Sequence, residues 1–191
     1  HFLINIAPEA VEDVDSFWQE RGQPLDKLYP MVRGRLTELN GQPVKETVSK
    51  DENVNALNRE LNLTWMSALP DDNEIVEGAW FGENQKEGVS VEAELAGKLG
   101  LSLGDELTFT IGSEKVTEAV TSIRTVQWDS MKPNFYMAFP PEGGLTEMPA
   151  TWITSFYLPK DKKDALNEFS RQFPTVSVLE IDHVIERIQE I

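Results

Sequence analysis

The chain has 191 residues, 33 Asp and Glu against 17 Lys and Arg, a net charge of −16 and no cysteine. That charge argues against nucleic acid as a partner, since its binders need basic patches, and against lying flat on an anionic leaflet. The missing cysteine excludes disulfides, thiolate metal sites and a cysteine nucleophile.

A chain of this length can bury roughly two-thirds to three-quarters of its unfolded surface, so it can fold without covalent staples. No run of about 18 apolar residues is present to span a bilayer. The chain begins at His1, inside an apolar stretch, and stops at Ile191, inside a helical pattern. The expectation is a segment excised from a longer protein.

Phe2–Ile6 reads as a strand. Ala7-Pro8 opens a helix, because proline is tolerated in a first turn. Glu9, Glu12 and Asp13 suit the positive end of the helix dipole. Val11, Val14, Phe17 and Trp18 fall on one face, and Gly22 suits a C-terminal cap. Tyr29–Leu39 is the next strand, closed by a tight Asn40-Gly41 turn. Together these make a β-α-β unit.

After Pro43 the pattern changes to short strands and turns. Lys50–Asn53 reads as a polar loop. Arg59–Met66 alternates as a half-buried strand, Pro70–Asn73 is a turn, and Ile75–Phe81 is apolar but broken by Gly78. Val89–Gly100 reads as a helix capped by Ser90. Glu106–Ile111 and Val116–Val126 read as a hairpin about Gly112-Ser113.

Then the first pattern returns. Thr151–Leu158 is a strand. A helix follows, capped by Asp161 with Asp164 three places on, with Leu166, Phe169 and Phe173 as its buried stripe. Pro174 stops it. Val176–Leu179 is a strand, and Asp182 caps a last helix. The fold class is therefore α+β. Residues 1–44 and 150–191 pair into one split β-α-β, ferredoxin-like lobe, and residues 45–149 form an inserted, mainly-β lobe.

Few residues point to catalysis. His183 beside Asp182 reads as helix capping. No G-x-S-x-G elbow exists to seat a serine. Asp71–Glu74 lacks the ligand spacing and central glycine of a calcium loop, zinc lacks its His and Cys clusters, and Gly100–Gly104 is followed by no Lys-Ser/Thr. No cofactor or metal is expected. With so many carboxylates a hydrolytic pair stays open, but nothing selects one.

The stretch from Arg124 to Phe135 stands out. Within twelve positions it sets Arg124, Trp128 and Lys132 beside Asp129, Ser130 and Asn134, and ends on Phe135. It starts as a strand end and becomes a loop rich in groups that bind other molecules. Arg124, Trp128, Asp129, Lys132, Asn134 and Phe135 are the expected contact residues. The competing reading is a loop whose aromatics tuck onto the core. Arg33 and Arg35 alternate about Gly34 on one strand face. They are either a polar docking strip or partners of nearby carboxylates.

Tyr29–Leu36 with Asn40-Gly41, Leu61–Trp65, the Val89–Asp105 segment, Ser122–Phe135 and Phe173–Val178 together resemble the large periplasmic domain of YbbP-type permeases. These fall in the FtsX/MacB-like superfamily of ABC-transporter permeases. The resemblance covers nearly the whole chain, and Arg124–Phe135 is its most specific part. It implies an extracytoplasmic, periplasmic domain of an inner-membrane protein, set between two transmembrane helices. The outer halves would be a porter-like lobe and the middle a Sabre-like lobe. It also implies mechanotransmission driven by a separate cytoplasmic ATPase subunit. A periplasmic esterase or a lipid-like, hydrophobic cargo would be the partner, and a second permease copy could pair with it. No catalytic motif carries over. The alternative is a free-standing extracytoplasmic ligand-binding module.

Overall fold

The computed structural model describes residues 1–44 and 59–180. The polar loop expected at Lys50–Asn53 and the helix expected from Asp182, with His183, lie outside them. Strands dominate, and helices are few. In chain order the strands are β1 (Phe2–Ile6), β2 (Tyr29–Leu39), β3 (Gln42–Pro43), β4 (Leu61–Trp65), β5 (Asn73–Gly78), β6 (Val89–Glu92), β7 (Glu106–Ile111), β8 (Glu114–Val126), β9 (Met137–Phe139), β10 (Thr151–Ser155) and β11 (Ser177–Leu179). The described α-helices are α1 (Val11–Glu20), α2 (Ala93–Leu99) and α3 (Asp164–Gln172).

The chain divides into two compact units. The first holds His1–Met31, Trp128–Pro133 and the chain from Ala150 on; the second holds Val32–Gln127 and Asn134–Pro149. The first boundary falls between Met31 and Val32 rather than after residue 44. β2 is one continuous strand with different partners at its two ends. Tyr29–Met31 pair with β10, and the residues from Val32 onward pair with β4, β7 and β3.

In the first unit the strand order is β11-β1-β10-β2, and all neighbours are antiparallel. Each β-α-β crossover thus skips one strand that belongs to the other crossover. α1 forms as its residues dictate: Pro8 opens a 3-10 turn ahead of it, Glu12 and Asp13 sit in its first turn, and Val14, Phe17 and Trp18 are buried on one face. It ends in a Schellman motif, with Gln23 N–H donating to Trp18 O at 2.9 Å and Gly22 N–H to Gln19 O at 3.0 Å. The core joins α1 to the sheet and α3 through Leu3, Ile6, Trp18, Phe156 and Phe169. Trp18 lies 4.7 Å from Phe156 and 5.3 Å from Phe169, centroid to centroid. Such ring pairs are each worth about 0.5–1.5 kcal/mol beyond the area they bury. Asp161 does not cap α3. Pro159 leads into a 3-10 turn at Lys160–Lys162, and α3 starts after it from Lys163 with no side-chain cap.

In the second unit the pairings form a closed circuit, β2-β4-β9-β6-β8-β7 and back to β2, with β5 added on the outer side of β8 and β3 on β2. The inward residues are apolar: Val32, Leu36, Leu63, Val91, Phe109, Met137 and Phe139 are all buried, and the Phe109 and Phe139 rings meet at 5.5 Å. Asn40 (φ 52°) and Gly41 (φ 80°) form the turn between β2 and β3, as the Asn-Gly pair predicts. The helix expected at Val89–Gly100 is shorter. Its first four residues are β6, held between β8 and β9, where β-branched Val89 and Val91 fit better than in a helix. Glu92, not Ser90, caps α2, its carboxylate accepting from Glu94 N–H at 2.8 Å and Leu95 N–H at 2.9 Å.

One irregularity in β8 sets up the site. Val89 pairs with Val120 and Ser90 with Ser122, so Thr121 is an extra residue in β8. A bulge flips the alternation beyond it. Val116 and Val120 face the interior before it, Ile123 does so after it, and Ser122 and Arg124 turn to the outer face.

Candidate functional site: a buried arginine network

Arg124 is 1% exposed. Its Nε donates to Ser90 Oγ at 3.1 Å, one terminal nitrogen to Asn73 Oδ1 at 3.0 Å, and the other to the Phe135 carbonyl at 2.7 Å. Ser90 Oγ also accepts from Ser122 Oγ at 2.8 Å. One guanidinium thereby ties together β6, the start of β5 and the chain just before β9. Its planar fork of donors suits this task as a lysine would not.

Burial pushes the Arg124 pKa down to about 10, while the Glu92 and Asp72 carboxylates pull it back up. The group keeps its charge at neutral pH. Glu92 is the register partner of Arg124 across β6 and β8 and is itself 2% exposed. It holds two helix N–H groups with its oxygens, so each charge is neutralised by its surroundings rather than by water.

The network continues to Asn134. Its Nδ2 donates to Asp72 Oδ2 at 2.6 Å, and its Oδ1 accepts from Asn73 Nδ2 at 2.8 Å. Gln127 N–H donates to Asp72 O at 2.9 Å, and Glu92 N–H to Tyr136 O at 2.8 Å. Both ends of the segment from residue 127 to 136 are thus fastened within the second unit. The Asp72-Asn73 turn holds both ends, and β6 adds its own bond to the later one.

The predicted contact residues separate into two groups. Arg124 and Phe135, the latter 4% exposed, are interior; neither offers a surface to a partner, because the bulge and the fold of the chain before β9 bury them. Asn134 is half-buried and hydrogen-bonded. Trp128 is half-buried, and Asp129 and Lys132 are exposed. Met131, with φ 67°, is exposed too. Arg33 and Arg35 are exposed on β2. Neither has an ion pair among the described residues, where the bridges are Arg21–Glu168 and Lys115–Glu38. Gly34 between them faces inward, and a Cβ there would stand 2.8 Å from Leu63 Cδ1 and 2.9 Å from Ile111 Cγ1.

Sequence reasoning missed Asp72, Asn73, Ser90 and Glu92. Asp72 and Asn73 read as ordinary turn residues, and Ser90 and Glu92 as a helix start. The signal that could have found them is the polar run Ser90, Glu92 in a strand otherwise made of valines. The second unit also has a polar cleft lined by Glu87, Glu106, Glu118 and Thr121. Burial raises the Glu118 pKa, against the Gly88 N–H that donates to it at 2.9 Å. Among the described residues no group of three or more His, Cys, Asp or Glu could hold a metal. No helix among them is long and apolar enough to cross a membrane.

No family model matches the chain. It is 42% identical over 188 residues, 98% of its length, to the uncharacterized ABC transporter permease YbbP of Escherichia coli (strain K12). It spans 22% of that protein. Among solved structures, a domain assigned to a permease of Porphyromonas gingivalis is 15% identical with a TM-score of 0.39, over 90% of this chain and 83% of that one. The resemblance to YbbP-type permeases carried by Tyr29–Leu36, Leu61–Trp65 and Ser122–Phe135 therefore holds along nearly the whole chain, which is a sequence relative of one segment of an ABC transporter permease.

Proposed function

We propose that this chain is an extracytoplasmic domain of an ABC-transporter permease, placed on the periplasmic side of the inner membrane. It moves with a separate cytoplasmic ATPase and presents a surface to a periplasmic substrate or partner. The observation that carries this reading is the 42% identity to YbbP over 98% of the chain.

The folds of the two units support the finer reading. The order β11-β1-β10-β2 is that of a split, ferredoxin-like sheet, as in a porter-like lobe. The closed strand circuit of the second unit fits an inserted Sabre-like lobe. In this reading Trp128, Asp129 and Lys132 are the loop's contact residues, and Arg33 and Arg35 form a second polar strip. Arg124, Asn134 and Phe135 hold the loop's ends. The domain is not an enzyme, and ATP is hydrolysed by the partner subunit. A lipid-like cargo or a periplasmic esterase is the client, and a second permease copy is a further partner.

The test is topological. A cysteine placed at exposed Val76 in an otherwise cysteine-free full-length permease is expected to react with a membrane-impermeant maleimide in intact spheroplasts. Reaction only after lysis would place the domain on the other side and end the reading.

A further inference from the structure

β8 outruns one of its neighbours. On one side its residues 114–119 pair with β7. On the other side β6 begins only at Val89, opposite Val120, and β5 pairs no earlier than Ser122. Among the described residues, no strand lies against that second side over residues 114–119.

The ladder shows which backbone groups face this open edge. Val120 N–H donates to Asp105 O at 2.8 Å. Bonded and non-bonded pairs alternate along an antiparallel pair. Leu107 with Glu118, Phe109 with Val116 and Ile111 with Glu114 are therefore the bonded pairs. The N–H and C=O of Lys115 and Thr117 point away from β7, toward the open edge.

Upstream of Val89 the chain bends away instead of continuing β6 along β8. Gly88 N–H donates to the Glu118 side chain at 2.9 Å rather than to β8 backbone. Gln85 holds the bend, its Oε1 accepting from Gly82 N–H at 2.9 Å and its Nε2 donating to Glu87 O at 2.7 Å. Between the bend and β8 lies the cleft of about 580 Å³ lined by Gln85, Glu87, Glu106, Thr117 and Glu118.

The charged residues on the surrounding elements are Glu83, Lys86 and Glu87 on the bend, Asp105 and Glu106 at the start of β7, and Glu114, Lys115 and Glu118 on β8. Six carboxylates thus stand against two ammonium groups, and Lys115 is already paired with Glu38 at 3.5 Å.

We propose that the open edge at Lys115 and Thr117 takes a short extended segment of a partner protein by strand addition, with Lys or Arg side chains of that segment on Glu87, Glu106 and Glu118. In strand addition the main chain supplies affinity and the side chains beside it supply selection. Carboxylates along the edge reject an acidic strand. A second copy of this chain, at net charge −16, would add to the repulsion, so the occupant is a different, basic chain. The site lies wholly within the second unit and stands apart from the permease reading.

The test adds an acetylated, amidated peptide of alternating Lys and Val, at millimolar concentration, to the isotope-labelled chain and follows amide exchange by NMR. The Lys115 and Thr117 amides are expected to exchange about tenfold more slowly, as newly bonded groups. The same peptide N-methylated throughout keeps its charge but cannot donate, and is expected to give no protection. An alternating Glu and Val peptide is expected not to bind. Thr117→Pro removes a donor that β7 does not use, and proline is tolerated on such an edge. It should melt near wild type and bind the Lys-Val peptide about tenfold more weakly. Glu87→Lys with Glu106→Lys should weaken binding while leaving the edge intact. Unchanged exchange at Lys115 and Thr117, equal binding of the N-methylated peptide, or equal binding of the Glu-Val peptide overturns the proposal. If Thr117→Pro fails to fold, the two peptide comparisons on the wild-type chain decide it.

Discussion

Arg124 spends three hydrogen bonds on acceptors from three separate stretches of chain: a serine, an asparagine and a backbone carbonyl. Removing it leaves those acceptors buried and takes away the guanidinium charge that the Glu92 and Asp72 carboxylates stabilise. Arg124→Met is expected to cost about 3–5 kcal/mol, the range for breaking a buried charged network. Arg124→Lys keeps the charge but cannot span three acceptors from one ammonium, and about 1–3 kcal/mol is expected. Urea unfolding of the chain measures both, and amide exchange over residues 127–136 should quicken in both. A change within about 0.5 kcal/mol, as for an ordinary surface site, would show that the network does not hold the fold. The sequence singled out Arg124 by its neighbourhood, as an arginine at the mouth of a polar, aromatic loop, and read it as a contact residue, whereas the structure buries it. Its direction was not legible. Strict alternation along β8 hides the extra residue at Thr121, and only the pairing with β6 reveals which face Arg124 takes.

At the scale of elements, β6 and α2 share one hinge residue. Glu92 ends the strand, caps the helix and sits beside the buried guanidinium. Glu92→Ala removes a cap worth about 0.5–2 kcal/mol and also withdraws a compensating charge. Glu92→Gln keeps one carbonyl acceptor for the helix and loses the charge. Thermal unfolding is expected to rank wild type above Glu92→Gln above Glu92→Ala. Equal stability of the two variants would mean that the helix bonds, rather than the charge, carry nothing. The legible elements are those whose period is unambiguous. β2 has apolar Val32 and Leu36 against exposed Arg33 and Arg35, and the hairpin of β7 and β8 has its Gly112-Ser113 turn. Val89–Glu92 was misread because four residues with two valines fit a strand and a helix start equally well. Asp161 was misread because a capping pattern does not reveal a 3-10 turn. The order of the strands came from no local signal, since it depends on which segments meet after folding.

For the whole molecule the dominating term is charge. Carboxylates outnumber cations 33 to 17. The ion pairs Arg21–Glu168 at 2.9 Å and Lys115–Glu38 at 3.5 Å are both solvent-accessible, and such pairs contribute about 0–1 kcal/mol each. Exposed pairs of this kind add little, while like charges are many and repel over a distance set by salt. That distance falls from about 30 Å at 0.01 M to about 8 Å at 0.15 M ionic strength, so added salt weakens mostly repulsion. The buried Arg124 network is shielded from the solvent and should lose little. The midpoint of thermal unfolding is therefore expected to rise as sodium chloride goes from low to physiological concentration at pH 7. Chloride is the right anion for this, because sulfate would stabilise by exclusion from the surface as well. A midpoint that falls with sodium chloride would mean that attractive surface pairs outweigh the net repulsion. The −16 charge would then have to be arranged far more favourably than these two bridges indicate.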